Sequence, residues 1–182
     1  MLKIYITQLT GVLKKIEQEE QENIEDAARL LAQALVSHGT IYLQGFKEMD
    51  GVIDQAIDGP EPLKGMKKLY SGLYMAQVQQ RDRAMIFART ATDQKAVALA
   101  QSLHGQGVPF VAVSAGSASD SLEEPNLLTL ADVHIDIKAN RGLVPNEDGT
   151  RSGIPSLPAA LIVYEGIIMA IKEILSEYEE EL

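Results

Sequence analysis

The chain has 182 residues, 46% of them hydrophobic and 23% charged, with no cysteine, no tryptophan and a formal net charge of −10. That length suits one domain over residues 1–182 with a buried core, and the apolar fraction excludes wholesale disorder. The lack of cysteine excludes disulfides, thiolate-held zinc, iron–sulfur clusters and a thiol nucleophile, and points to an intracellular, cytoplasmic protein.

Residues 3–38 predict helix, as two helices or one bent one. Leu9, Val12, Leu13 and Ile16 recur at helical spacing, and Ile24, Ala27, Ala28, Leu31 and Leu35 repeat the pattern until Gly39 stops it. The N-terminus shows no apolar signal core. Within this stretch, residues 17–26 carry six acids and no base. They read as a solvated helix face. Thr40–Gly45 predicts a buried strand, and residues 49–57 a short helix broken by Gly59-Pro60-Glu61-Pro62. Residues 60–82 carry little signal beyond a short strand around Met66–Tyr70.

From there the alternation sharpens. Ala84–Ala88 predicts a strand, Asp93–Gln106 a helix, and Pro109–Ser114 and Ala131–Ile137 two more strands. A Pro/Gly-rich loop runs to residue 155, and a long helix starts near Ser156 as its N-cap, with Pro158 in the first turn. Its apolar run, Leu157 to Ile171, is too short to span a membrane and reads as buried. Five acids follow in residues 173–182; removing both acidic runs leaves fifteen acids against sixteen bases. The acidity is local. It argues against nucleic acid as a partner and says little about a small anion.

Strands alternating with helices predict an α/β fold, a three-layer α/β/α sandwich with long N- and C-terminal helices around a mainly parallel five-stranded sheet. Ligands then belong at the carboxyl ends of the strands, in the loops Gly45–Asp50, Ala88–Asp93, Ser114–Asp120 and Lys138–Ser156. In the second loop, Thr90 and Thr92 at a helix start suit phosphate oxygens and Arg89 adds a charge-assisted bond, the alternative being that Thr92 or Asp93 caps the helix. In the fourth, Arg141 and Arg151, with Lys138, suit an anion, or else pair with Glu147 or Asp148. Asp148-Gly149 reads as a turn. His134 and Asp136 share a strand face, but no third metal ligand accompanies them, so neither a metal nor a cofactor is expected. There is no GxGxxG, P-loop or nucleophile elbow.

The order of helices, five candidate strands and a final long helix resembles the sugar isomerase (SIS) domain family. That family's phosphosugar loop, Ser-x-Ser-Gly-x-Thr, falls on Ala88-Arg89-Thr90-Ala91-Thr92-Asp93. Thr90 takes the place of the central serine, Ala88 of the first serine, Ala91 of the glycine and Asp93 of the threonine. The family's glycine-rich turn falls on Gly45–Met49, where Lys47 replaces a glycine and Met49 a serine. The segments KIYITQL, IEDAARLLAQA, GVPFVAVSA, LADVHID and GTRSGIPSL are similar to a small bacterial subgroup that has been compared with phosphoheptose isomerase.

The resemblance implies a sugar-phosphate-binding protein acting as an aldose–ketose isomerase. The alternatives are a non-catalytic sensor of a phosphorylated metabolite or an oligomeric scaffold with a decayed pocket. Gly45, Lys47, Arg89, Thr90, Thr92, Arg141 and Arg151 would hold the ligand. The catalytic histidines of phosphoheptose isomerases fall near Gln55 and Met169, so Glu165, the only charge between Arg151 and Lys172, becomes the candidate base. Family members build ligand sites near subunit interfaces. The apolar faces of the first and last helices predict a homodimer.

Overall fold

A computed structural model of the chain describes residues 1–116 and 124–180, with side chains through residue 178. Residues 117–120 of the predicted Ser114–Asp120 ligand loop therefore lie outside the described residues. Residues 2–36 form one helix, α1 (Leu2–Val36), rather than two. Its apolar stripe continues from Ile16 through Ala27, Ala28 and Leu31 without a breaker. Before Ile16 no residue of α1 is buried.

Strand β1 (Ile41–Gly45) leads through a short 3-10 turn (Lys47–Met49) into α2 (Asp50–Asp58). A short strand β2 (Met66–Lys68) and a hairpin of β3 (Tyr70–Ser71) and β4 (Tyr74–Met75) account for the poorly patterned region. Then follow β5 (Arg83–Thr90), α3 (Gln94–Gly105) and β6 (Phe110–Ala115). The order ends with α4 (Leu127–Leu130), β7 (Val133–Asp136), a hairpin of β8 (Val144–Pro145) and β9 (Arg151–Ser152), and α5 (Ser156–Glu180).

The main sheet runs β2-β1-β5-β6-β7, with every neighbouring pair parallel. Side chains alternate across it, as the two-residue strand period requires. Leu43, Met85, Phe87, Val111, Val113 and Ile135 meet α1, α2 and α5 on one face. Ala84, Ile86, Ala88, Phe110 and Ala112 meet α3 and Leu127 of α4 on the other. Both faces are covered, which explains why the central strands are uninterrupted apolar runs. From β1 the chain steps to one side for β2 and to the other for β5, so the order reverses between β1 and β5. Crevices at such points, outside the carboxyl ends of the strands, are where open α/β sheets bind ligands.

Three local expectations change. The four-residue helix α4, too short to show periodicity, is held by a capping box in which Asn126 Oδ1 accepts from the N–H groups of Leu128 and Thr129. The 138–155 loop contains the β8–β9 hairpin around the Asp148-Gly149 turn, with Gly149 at φ +82°. Ser156 opens α5, but its hydroxyl donates to Glu48 at 2.9 Å, while the Pro155 carbonyl accepts the helical bond from Ala159. Among the described residues no helix is long and apolar enough to cross a membrane.

Candidate functional site

The turn after β1 is built on Gly45: a Cβ there would lie 2.5 Å from the Met49 carbonyl oxygen, so only glycine lets the chain fold back so tightly. Two residues on, Lys47 sits at φ +58°, a left-handed backbone that glycine adopts freely and lysine does not. Its ammonium reaches across to Asp93 Oδ2 at 2.7 Å. The other oxygen of Asp93 accepts from the N–H groups of Lys95 and Ala96, at 3.1 and 3.2 Å, and so caps α3. Partial burial works against the charge, yet Lys47 and the two N–H groups hold the carboxyl below the ordinary aspartate range. The helix start expected to receive a phosphate already has an internal anion. Two departures from the family pattern, Lys47 and Asp93, are thus one linked pair.

Beside this pair an open cleft of about 1020 Å³ lies at the crevice between β1 and β5. Gly45, Lys47, Thr90 and Thr92 line it, together with Gln44, Asp50 and Lys95. Asp50 was not anticipated. Burial and the neighbouring Asp54 charge raise its carboxyl above the ordinary range, with Lys68 opposing. Its only sequence signal is an acid in the first turn of the helix after β1.

Arg89 stands apart from this group. It does not line the cleft; its Nε and a terminal nitrogen grip both carboxylate oxygens of Glu48, at 2.6 and 2.8 Å. This fork, with the Ser156 hydroxyl on the same carboxylate, pulls Glu48 down to about 2. The backbone register shifts between Phe87 and Thr90 at this point in β5.

Arg151 and Arg141 lie elsewhere, in a second cleft of about 460 Å³ between α1 and the 138–152 loop. Arg151 pairs with neither Glu147 nor Asp148. It donates to the carbonyls of Gly142 and Leu143, at 2.7 and 2.8 Å. Beside it, Lys138 binds Glu20 at 2.7 Å, Glu19 at 3.0 Å and Asp136 at 3.3 Å. Burial opposes the lysine's charge, but these carboxylates raise its pKa well above the ordinary value. Glu20 is only 5% exposed, and it also accepts the N–H of Asp136 on the free edge of β7. The 17–26 run is therefore not wholly a solvated face.

His134 hydrogen-bonds Ser114 at 2.8 Å, and Asp136 accepts from the N–H groups of Gly116 and Lys138. Glu165 lies away from both clefts. It accepts a 3.4 Å bond from Gln55 in a small pocket beside Tyr164, whose hydroxyl is pushed up to about 12 by burial and by Glu165. The two positions where the resemblance puts catalytic histidines do not come together as a metal site. Gln55 is engaged with Glu165, Met169 is 63% exposed, and no group of three metal-binding side chains forms among the described residues.

The chain is similar to solved structures of this architecture. One is a candidate phosphosugar isomerase involved in capsule formation from Bacteroides fragilis, with a TM-score of 0.70, 12% identity, and 96% of this chain and 90% of that one covered. Another is phosphoheptose isomerase GmhA from Neisseria gonorrhoeae, with a TM-score of 0.66, 11% identity, and 93% and 97% covered. The fold is that of the SIS-like phosphosugar isomerases. The uncharacterized protein YwjG of Bacillus subtilis is 42% identical over 179 residues, covering 98% of this chain and 99% of its own. With residues 1–175 also matching its model, the chain belongs to the family described as domain of unknown function DUF2529.

Proposed function

We propose that the protein binds a sugar phosphate in the cleft between β1 and β5 and reports its presence without interconverting it. What carries this reading is the content of that cleft. The Thr90 and Thr92 hydroxyls, Lys47 and Lys95 supply donors for a phosphate, while Gln44 and Asp50 can partner sugar hydroxyls. Interconversion requires a base within hydrogen-bond reach of the moving proton. Glu165 lies in a different pocket, and none of the three histidines lines the cleft. The similarity to phosphoheptose isomerase supports a phosphorylated sugar as ligand class. On this reading the protein works in the cytoplasm as a homodimer, with Ile4, Ile6, Ile162 and Met169 as exposed apolar side chains on α1 and α5.

One observation favours a second reading: Asp50, raised and inside the cleft, is placed to serve as the base of an isomerase. A panel of aldose and ketose phosphates separates the two. Thermal unfolding is expected to show stabilisation that Thr90→Val and Thr92→Val remove, with no change of sugar in nuclear magnetic resonance spectra. Turnover lost in Asp50→Asn would establish the second reading. A panel without any stabilising member would overturn both.

A further inference from the structure

We propose that the second cleft, between the N-terminal half of α1 and the 138–152 loop, is a separate binding site for a small organic anion carrying a phosphate or carboxylate group. It shares no lining residue with the cleft between β1 and β5. The site stands whether or not a sugar phosphate binds at Thr90.

Three features point to a ligand of this charge. The first is the state of the cations. Lys15 and Arg141, which line this cleft from α1 and the loop, have no ion-pair or hydrogen-bond partner among the described residues, as is also true of Lys95 in the other cleft, and here they stand beside Lys138 and Arg151. The acids on the same wall do not compete for them, because Glu19 and Asp136 are held by Lys138.

The second feature is Arg151. Its two bonds to loop carbonyls anchor the side chain and leave three of its five N–H donors uncommitted. A guanidinium anchored in this way can grip an oxyanion with little further loss of freedom.

The third is Gly11. Glycine inside a helix is unfavourable against alanine, and it needs a compensating reason. Packing supplies none: a Cβ built on Gly11 meets no atom within 4 Å. Yet Gly11 lines this cleft, on the α1 face that carries Lys15 one turn later. The missing side chain keeps the floor of the cleft open. The volume, about 460 Å³, suits a small metabolite.

The test uses Thr90→Val as the background, so that the cleft between β1 and β5 contributes nothing, with pyrophosphate and citrate as probes at low ionic strength. At a hundredfold excess over Kd, a probe that binds is expected to raise Tm by roughly 5–10 °C. Adding Arg141→Ala should abolish the shift. Adding Gly11→Leu should abolish it too while leaving unliganded Tm unchanged or higher, since leucine is the better helix former. If neither probe shifts Thr90→Val, or if the shift survives both added substitutions, the proposal is overturned.

Discussion

Two clefts at the carboxyl end of one sheet pair their charges differently. Between β1 and β5, Lys47 is bound to Asp93 and Arg89 beside it to Glu48, while Lys95 has no partner among the described residues. Near the end of β7, the single cation Lys138 holds Glu19, Glu20 and Asp136, and Lys15 and Arg141 are left unengaged. A count of basic residues per loop therefore misjudges where an anion can dock. Availability is set by which charges are already paired, and pairing is set by geometry.

The largest effect is expected where charge is buried. Lys138→Met would leave the Glu19, Glu20 and Asp136 carboxylates clustered without their cation and should cost about 3–5 kcal/mol in urea unfolding. A loss below about 1 kcal/mol would show that the network is solvated, removing one side of the contrast. Glu48→Gln should cost less, about 1–2 kcal/mol at pH 7, because Arg89 is 45% exposed. Its pH dependence has a definite sign. Glu48 is pulled from 4.5 to about 2 in the folded protein, so the unfolded chain takes up the proton first as pH falls. The stability it contributes is complete above about 4.5 and gone below about 2, and wild type and variant should converge across that window.

Gly11→Ala should act in the other direction, raising stability by about 0.5–1 kcal/mol, read as a Tm increase of a few degrees. A lowered Tm would mean that the glycine serves the helix and not the cleft. The smallest change in stability is expected for Asp93→Ser. It preserves a capping side chain on α3, so unfolding should move by no more than about 0.5 kcal/mol. It also releases Lys47 and opens the helix start, so phosphate binding between β1 and β5 should tighten about tenfold by calorimetry. Unaltered affinity would show that the Asp93 carboxylate does not compete with the ligand.

Much of the fold was legible. The repeat from Ile24 to Leu35, the apolar runs of β5 and β6, and the glycine end of β1 are local signals, and each element formed where it was expected. Helix α4 and the strands β8 and β9 were not legible, because two to four residues carry no periodicity, although the Asp148-Gly149 turn between the two strands was. At the site, Gly45 and the capping option for Asp93 could be read locally. The expected roles of Arg89 and Arg151 could not, since their partners were chosen by the fold: Glu48 lies 41 residues from Arg89, and Arg151 turns to carbonyls of its own hairpin.

By itself, then, the sequence determined the order of the long helices and main-sheet strands, the parallel sheet covered on both faces, and the loops at its carboxyl end. Hydrophobic periodicity acts over a few residues, so it survives reading in one dimension. Tertiary structure decided how the charges are distributed among those loops. Lys47 meets Asp93 from 46 residues away, Ser156 meets Glu48 from 108, and Glu20 closes the edge of β7 from 116. Coulomb energies and hydrogen bonds depend on distances of a few ångströms, and those distances exist only once the sheet has brought remote segments together. The net charge of −10 is a property of the composition. The cations left unpaired within it are a property of the fold.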